Sequence, residues 1–379
     1  MRIFENLNVD WLGNRKYFYL LSSSIFIAGV ISIVFRGVGF GIDFKGGTEI
    51  VLQFQKKVEI AQVRDEISNI GLGNVEIKTF GGETGILIRT ELQQIPQNLY
   101  PRVKSEIEQV ILAKLPGLPM KTVDSTAGSV TYSFANSDTA LQAADLLFKA
   151  GFQASRESQG QTNTNVMVRV GIADWIKSNL KDKHADNTFS ILREDRVGPK
   201  VGKELQTDAI VAVLLSLLAI LVYLAFRFKF IFALGAVLAL FHDVLITFGL
   251  FSLLYGVIPG LNLDIDLTIV AAFLTLIGYS INDTVIVFDR VRENLKIHKS
   301  ADLEQQMDAS INKTMSRTIL TGGTTLMSCL VLLIFGGEVL RAFAFTLFFG
   351  IIIGTYSSIF VASALVLDYT KTYNKKIEF

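Results

Sequence analysis

The chain holds one cysteine in 379 residues. Cys329 therefore cannot close an internal disulfide, which excludes an exported domain stapled by bridges. It stands in an apolar run, where a cysteine packs as a small hydrophobe. Charge is scarce as well: Asp, Glu, Lys and Arg make up 19% of residues and the net charge is +1. That balance excludes a nucleic-acid binder. No Walker lysine follows a glycine-rich loop. No Cys or second His stands at zinc-ligand spacing. After the first apolar stretch there is no small-residue cleavage site of a secretory signal. What remains is half hydrophobic, with a mean hydropathy of +0.43. That is the composition of a polytopic membrane protein.

Six apolar segments are long enough to cross a bilayer, which takes about 20 residues of helix. They run over 17–35, 208–226, 231–255, 267–288, 319–335 and 342–367. Lys and Arg in short loops set the orientation. Residues 1–16, 227–230, 289–318 and 368–379 together hold fourteen, whereas 256–266 and 336–341 hold only Arg341. The first group is expected in the cytoplasm: an N-terminus at 1–16, a loop at 289–318 and a tail at 368–379. The polar region 37–207 is then expected outside, and it is too long for a loop.

That region reads as α/β. Residues 49–54, 75–80 and 86–90 have strand character, and 59–70 has helical periodicity ended by Gly71 and Gly73. The order recurs 80 residues later as a strand at 130–134, a helix at 138–150 and strands at 152–158 and 165–170. Phe54 matches Phe134, Asp65 matches Asp145, Gly71 matches Gly151 and Arg89 matches Arg169. The expectation is a duplicated β-α-β-β unit, the half-motif of a ferredoxin-like sheet. A helical insert at 98–115 joins the two units. A helix near 172–182 and a strand near 188–194 lead back to the membrane.

The fourth segment is polar where a plain anchor would be apolar. Ser280 and Asp283 share one helical face, with Thr275, Tyr279 and Asn282 beside them. A carboxylate at membrane depth costs about 3 kcal/mol, and such residues usually face a bundle interior on an ion or proton path. The other reading places Asp283 about 7 Å from the cytoplasmic end at Phe288, within reach of water. His242 and Asp243 lie near the middle of the third segment, as a bundle contact, part of a relay, or a pair exposed to water. Neighbours in sequence point about 100° apart on a helix, so they need not bond to each other. Arg317 opens the fifth segment at the membrane end that holds Asp283. It is a topology marker that snorkels, or a partner whose charge offsets that of Asp283. The glycines of 41–48 suit a tight turn and a close backbone approach before a strand.

Gly-Ile-Asp-Phe-Lys-Gly-Gly-Thr at 41–48, His-Asp-Val at 242–244, the run Gly278–Asn294 and Arg-Thr-Ile-Leu-Thr-Gly-Gly-Thr-Thr at 317–325 resemble SecF. That family is the smaller subunit of the bacterial SecDF protein-export complex. The resemblance implies a pairing with SecD into a twelve-helix assembly related to the resistance-nodulation-division transporters. It further implies work beside SecYEG on an exported unfolded polypeptide, with YajC and YidC as further partners. The coupling ion would be the proton, and no cofactor is implied. The family's coupling Asp and Arg fall by motif on Asp283 and Arg317, in the surroundings of Asn282, His242 and Asp243.

The expected function is thus a non-enzymatic, proton-driven auxiliary of protein export in the cytoplasmic membrane. The alternative is a proton-coupled small-molecule efflux transporter of the same superfamily, although six segments make half of that machine. A plain structural subunit would leave Asp283 without a function.

Overall fold

The computed structural model describes residues 7–373 except 127, 151, 157–163, 182, 185, 259–260 and 299–301. Gly151, the end of the strand expected at 152–158, and parts of the expected loop 289–318 and tail 368–379 lie outside the described residues. The chain forms two compact units, Met1–Asp43 with Glu204–Phe379, and Phe44–Lys203.

The first span is helix α1 (Arg15–Arg36). After it comes the single turn α2 (Ile42–Lys45). The α/β unit then runs β1 (Gly47–Phe54), α3 (Ile60–Ser68), β2 (Val75–Thr79) and β3 (Gly85–Thr90). Next come α4 (Tyr100–Lys114), β4 (Met120–Thr126), β5 (Ser129–Phe134) and α5 (Ser137–Ala150). The unit closes with β6 (Gln153–Arg156), β7 (Asn165–Arg169), α6 (Ile172–Lys181) and β8 (Phe189–Val197).

Two four-stranded antiparallel sheets result, ordered β2-β3-β1-β8 and β4-β5-β7-β6. Alternation decides which side chains enter the core. Ile50, Leu52 and Phe54 of β1 meet Ile86 and Ile88 of β3 in one cluster, which also takes in Val130, Tyr132 and Phe134 of β5. The opposite face of the first sheet carries charge. Arg89 there is 7% exposed and donates to Glu49 at 2.7 Å. Trp175 on α6 is buried and donates its ring N–H to Ile70 O at 3.1 Å.

The strand expected near 188–194 is β8, which leads back to the spans as expected and also pairs along the whole of β1. One strand was not expected: β4, whose Thr122–Thr126 has no apolar alternation to announce it, because one sheet edge leaves it exposed. Pairing of the central strands repeats: Glu49 lies opposite Arg89 in β1/β3, and Ser129 lies opposite Arg169 in β5/β7. One shift of 80 residues carries the first pair onto the second.

Gly46 and Gly47 enter β1 with φ of 75° and 118°. A Cβ on Gly47 would sit 2.3 Å from Thr90 O, and one on Gly46 2.8 Å from Pro199 Cα. The motif is therefore a backbone device, since only glycine tolerates both the angle and the approach.

Five further spans follow. They are α7 (Pro199–Arg227), α8 (Phe230–Leu254), α9 (Leu267–Ile297), α10 (Leu303–Phe335) and α11 (Gly337–Ser357). The last continues through a π-helical turn, Ser358–Ser363, into α12 (Ala364–Thr372). Among the described residues, six helical stretches are long and apolar enough to cross a membrane. Most of the stretch 289–318 is helical rather than loop. Asp302 caps α10 by accepting from Gln305 N, as an N-terminal Asp does. Met307, Ile311 and Met315 then bury a stripe against Val291 of α9 and Leu12. The segment before α1 docks there too, with the backbone N–H groups of Trp11 and Leu12 on Asp308 at 3.0 and 3.1 Å.

Candidate functional site

Helix α8 buries Ala233, Ala236, Ala239 and Gly235, small residues that let other helices approach closely. Asp243 follows on this inner side and is 1% exposed. Its Oδ2 accepts from Ser280 Oγ of α9 at 2.7 Å and from Ser357 Oγ of α11 at 2.8 Å. Its Oδ1 lies 3.1 Å from Nδ1 of His242. The two sequence neighbours therefore do touch, and the water-exposed reading fails for Asp243.

From His242 a chain of polar atoms crosses to the first span. Nε2 of His242 is 2.8 Å from Ser22 Oγ, which is 3.1 Å from Tyr356 Oη, and Tyr356 donates to Phe18 O at 2.6 Å. The carbonyl can only accept, so the tyrosine proton is committed to it. Ser22 then donates to Tyr356, and His242 donates to Ser22 through Nε2–H. Between Nδ1 of His242 and Oδ1 of Asp243 one proton is left, held by either atom. Ser22 and Tyr356 were missed in the sequence, where a serine and a tyrosine in apolar segments carry no signal of a partner 220 or 334 residues away.

Asp283 lies one helical turn beyond Ser280 on α9 and is 3% exposed. The hydroxyls of Thr318 on α10 and Thr355 on α11 and the charge of Arg317 act on it electrostatically. Among the described residues no ion pair within 4 Å joins Arg317 to Asp283. Arg317 is exposed on the outer face of α10, and Asn282 is exposed on α9. Thr321, Thr324 and Ser328 share that outer side of α10 and turn their hydroxyls back to their own helix. Tyr279 reaches Thr325 at 3.2 Å. Thus Asp283, Asp243 and His242 point inward, while Asn282 and Arg317 do not.

At one end of the bundle, Arg15 meets Glu304 at 2.9 Å and Asp368 at 2.8 Å. Tyr19 donates to Asp368 at 2.9 Å, and Lys371 pairs with Glu304. The starts of α1 and α10 and the end of α12 therefore share one end of the unit.

Residues 177–372 match the family described as protein export membrane protein SecD/SecF, C-terminal, and residues 31–58 match the SecD/SecF GG motif. The chain is 38% identical to the protein translocase subunit SecF of Rhodothermus marinus, over 97% of this chain and 95% of that one. The chain belongs to the SecF family. The corresponding subunit of Koribacter versatilis is 36% identical over 97% of this chain and 93% of its own length. The crystal structure of SecDF, a translocon-associated membrane protein from Thermus, superimposes with a TM-score of 0.64 at 28% identity. This SecF-family chain is covered to 97% there and spans 39% of that longer chain. SecDF in a super-membrane-facing form gives a TM-score of 0.57 at 27% identity, over 98% of this chain and 40% of that one.

Proposed function

We propose that the chain, a SecF-type subunit in protein translocation, drives its part of the work with the proton gradient through Asp283. One observation carries the reading. Asp283 is a buried carboxylate in a membrane helix, with the hydroxyls of Thr318 and Thr355 and the charge of Arg317 acting on it from the neighbouring helices. A charge in that place is expensive unless partnered. Taking a proton removes the charge and with it the electrostatic pull on the hydroxyl dipoles of Thr318 and Thr355. Loading the site thus changes how α9, α10 and α11 hold one another. A proton crossing the full field releases about 2.3 kcal/mol per 100 mV.

The partner in this reading is SecD. The polar outer side of α9 and α10, with Asn282, Arg317, Thr321 and Thr324, is costly against lipid. A second six-helix bundle would cover it. Work beside SecYEG on an exported unfolded polypeptide, with YajC and YidC in attendance, follows from the family resemblance. The orientation with both termini in the cytoplasm and 37–207 outside rests on the bias in Lys and Arg. The shared end of α1, α10 and α12 supports it.

For the outside domain the reading is two ferredoxin-like units. The first is β1, α3, β2, β3, α6 and β8. The second, α4 to β7, is inserted after β3 with its last helix and strand moved to the front. The strand orders and the shared shift of 80 residues support it.

The test is export into inverted membrane vesicles made with and without this chain, with the gradient on and off. Gradient stimulation should fall when the chain is missing. Unchanged stimulation of export, with loss of drug efflux instead, would favour the transporter reading.

A further inference from the structure

The two sheets carry one arginine each at the same point of their pairing. Arg89 on β3 lies opposite Glu49 on β1 and opposite Glu76 on β2. Arg169 on β7 lies opposite Ser129 on β5 and opposite Gln153 on β6. Ile88 and Val168, the residues just before them, enter the core. Both arginines therefore stand on the face turned away from it. Arg89 spends its guanidinium on the two carboxylates beside it. Arg169 has a hydroxyl and an amide for neighbours instead. It is exposed, and its guanidinium makes no hydrogen bond or ion pair among the described residues.

Arg169 lines a cleft of about 350 Å³, with the amides of Gln94 and Gln153 and the backbone of Gly171. The other groups there are already committed. Arg196 pairs with Glu194, and its Nη2 lies over Gly171, where a Cβ would sit 2.1 Å away. Gln93 donates to Val197 O at 2.8 Å. Asp174 accepts from the Gly171 N–H at 3.1 Å. The cleft thus presents one cation with no carboxylate of its own, among neutral amides and backbone.

We propose that this cleft takes an acidic side chain of an extended polypeptide, seated on Arg169, with Gln94 and Gln153 on the main chain beside it. The first sheet shows what an arginine at this point holds, since Glu49 Oε2 sits on Nε and Nη2 of Arg89. The guanidinium fork matches a carboxylate through two parallel bonds. A side-chain amide both donates and accepts, so it suits peptide groups whatever the sequence. Exposed charge pairs are weak, which fits a chain that must move on. The proposal rests on the reading of this subunit as working on an exported polypeptide, and it gives that polypeptide a contact in the α/β unit.

The test is photo-cross-linking in cells that hold the full chain and its partner subunit. p-Benzoylphenylalanine replaces Gln94, and a secretory protein is halted part-way through export. Its emerged segment carries glutamates, glutamines or lysines. The glutamate segment should cross-link about fivefold more than the glutamine segment, the upper end for one exposed charge pair. Arg169→Gln should abolish that preference. Arg169→Glu should turn it toward the lysine segment, which a merely misfolded unit would not do. Equal cross-linking of all segments, or a preference that survives Arg169→Gln, overturns the proposal. So does cross-linking to the partner subunit in place of the polypeptide. A second probe replaces Gln62 on α3, outside the cleft. Cross-links to the polypeptide from Gln62 but not from Gln94 would overturn the proposal and leave the polypeptide reading standing. Cross-links from neither, with export unchanged when the chain is missing, would sink both.

Discussion

Removing the guanidinium of Arg89 tests how the face of the first sheet opposite the core is held. Arg89 stands between two acidic neighbours in the register, Glu49 on β1 and Glu76 on β2. It donates to Glu49 Oε2 through Nε at 3.1 Å and Nη2 at 2.7 Å, and to Glu76 through Nη1 at 3.3 Å. Glu49 is 5% exposed, so its charge depends on partners. Stranding one member of a buried pair costs about 3–5 kcal/mol. Here Arg193 still reaches the other oxygen of Glu49 at 2.5 Å, and Glu76 keeps Lys78 at 2.8 Å. Arg89→Met should therefore cost less, about 2–3 kcal/mol, from loss of one of two partners. In a unit the size of 44–203 that is a fall of about 4–12 °C in Tm. Adding Glu49→Leu removes the stranded charge, and Arg193 then keeps Asp195 at 2.6 Å. The double variant should return to within about 1 kcal/mol of the parent, as apolar replacements of buried pairs do. The assay is urea and thermal unfolding of 44–203 expressed without the spans. A single variant within about 0.5 kcal/mol of the parent, or a double variant no better than the single, would refute the reasoning.

Other outcomes follow from the same structure. Gly47→Ala meets both a φ of 118° and Thr90 O at 2.3 Å, so unfolding of the same unit should show a loss of at least about 2 kcal/mol. Burial raises the folded pKa of Asp174 above the ordinary carboxylate value. The folded state then holds a proton that the unfolded chain releases, so stability should be fully present below the unfolded value and fall as pH rises through that value toward the folded one. Asp174→Asn should flatten this slope, and an unchanged slope in pH-dependent unfolding would contradict it. A reporter active only outside the cytoplasm should work when fused within 98–115 and stay silent within 302–310. The reverse pattern would overturn the orientation.

The membrane architecture was legible because hydropathy is a local property, and a span of apolar residues announces itself without its neighbours. Asp283 and Asp243 were legible for the converse reason, since a carboxylate amid Ile, Val and Phe has no solvent to explain it. Their partners were not. Ser22, Thr355, Tyr356 and Ser357 belong to residue types that recur in apolar helices, and only packing shows which of them face a carboxylate. The expected pairing of Arg317 with Asp283 rested on a shared membrane end. Helix rotation decides such contacts, and it turns Arg317 outward. In the α/β unit, alternation revealed the strands with one buried face. It missed β4, which sits at an exposed edge, and it could not show that β8 returns to β1, a pairing across more than 130 residues.

The central claim is that Asp283 couples the proton gradient to export. Asp283→Asn keeps the size and a side-chain carbonyl that can accept while removing the titrating carboxylate. Export of a secretory protein is measured in membrane vesicles at equal levels of the chain, with the gradient imposed and then collapsed. The account predicts normal assembly with the partner subunit, unchanged export without the gradient, and no stimulation when the gradient is imposed. Full gradient stimulation in Asp283→Asn would contradict it.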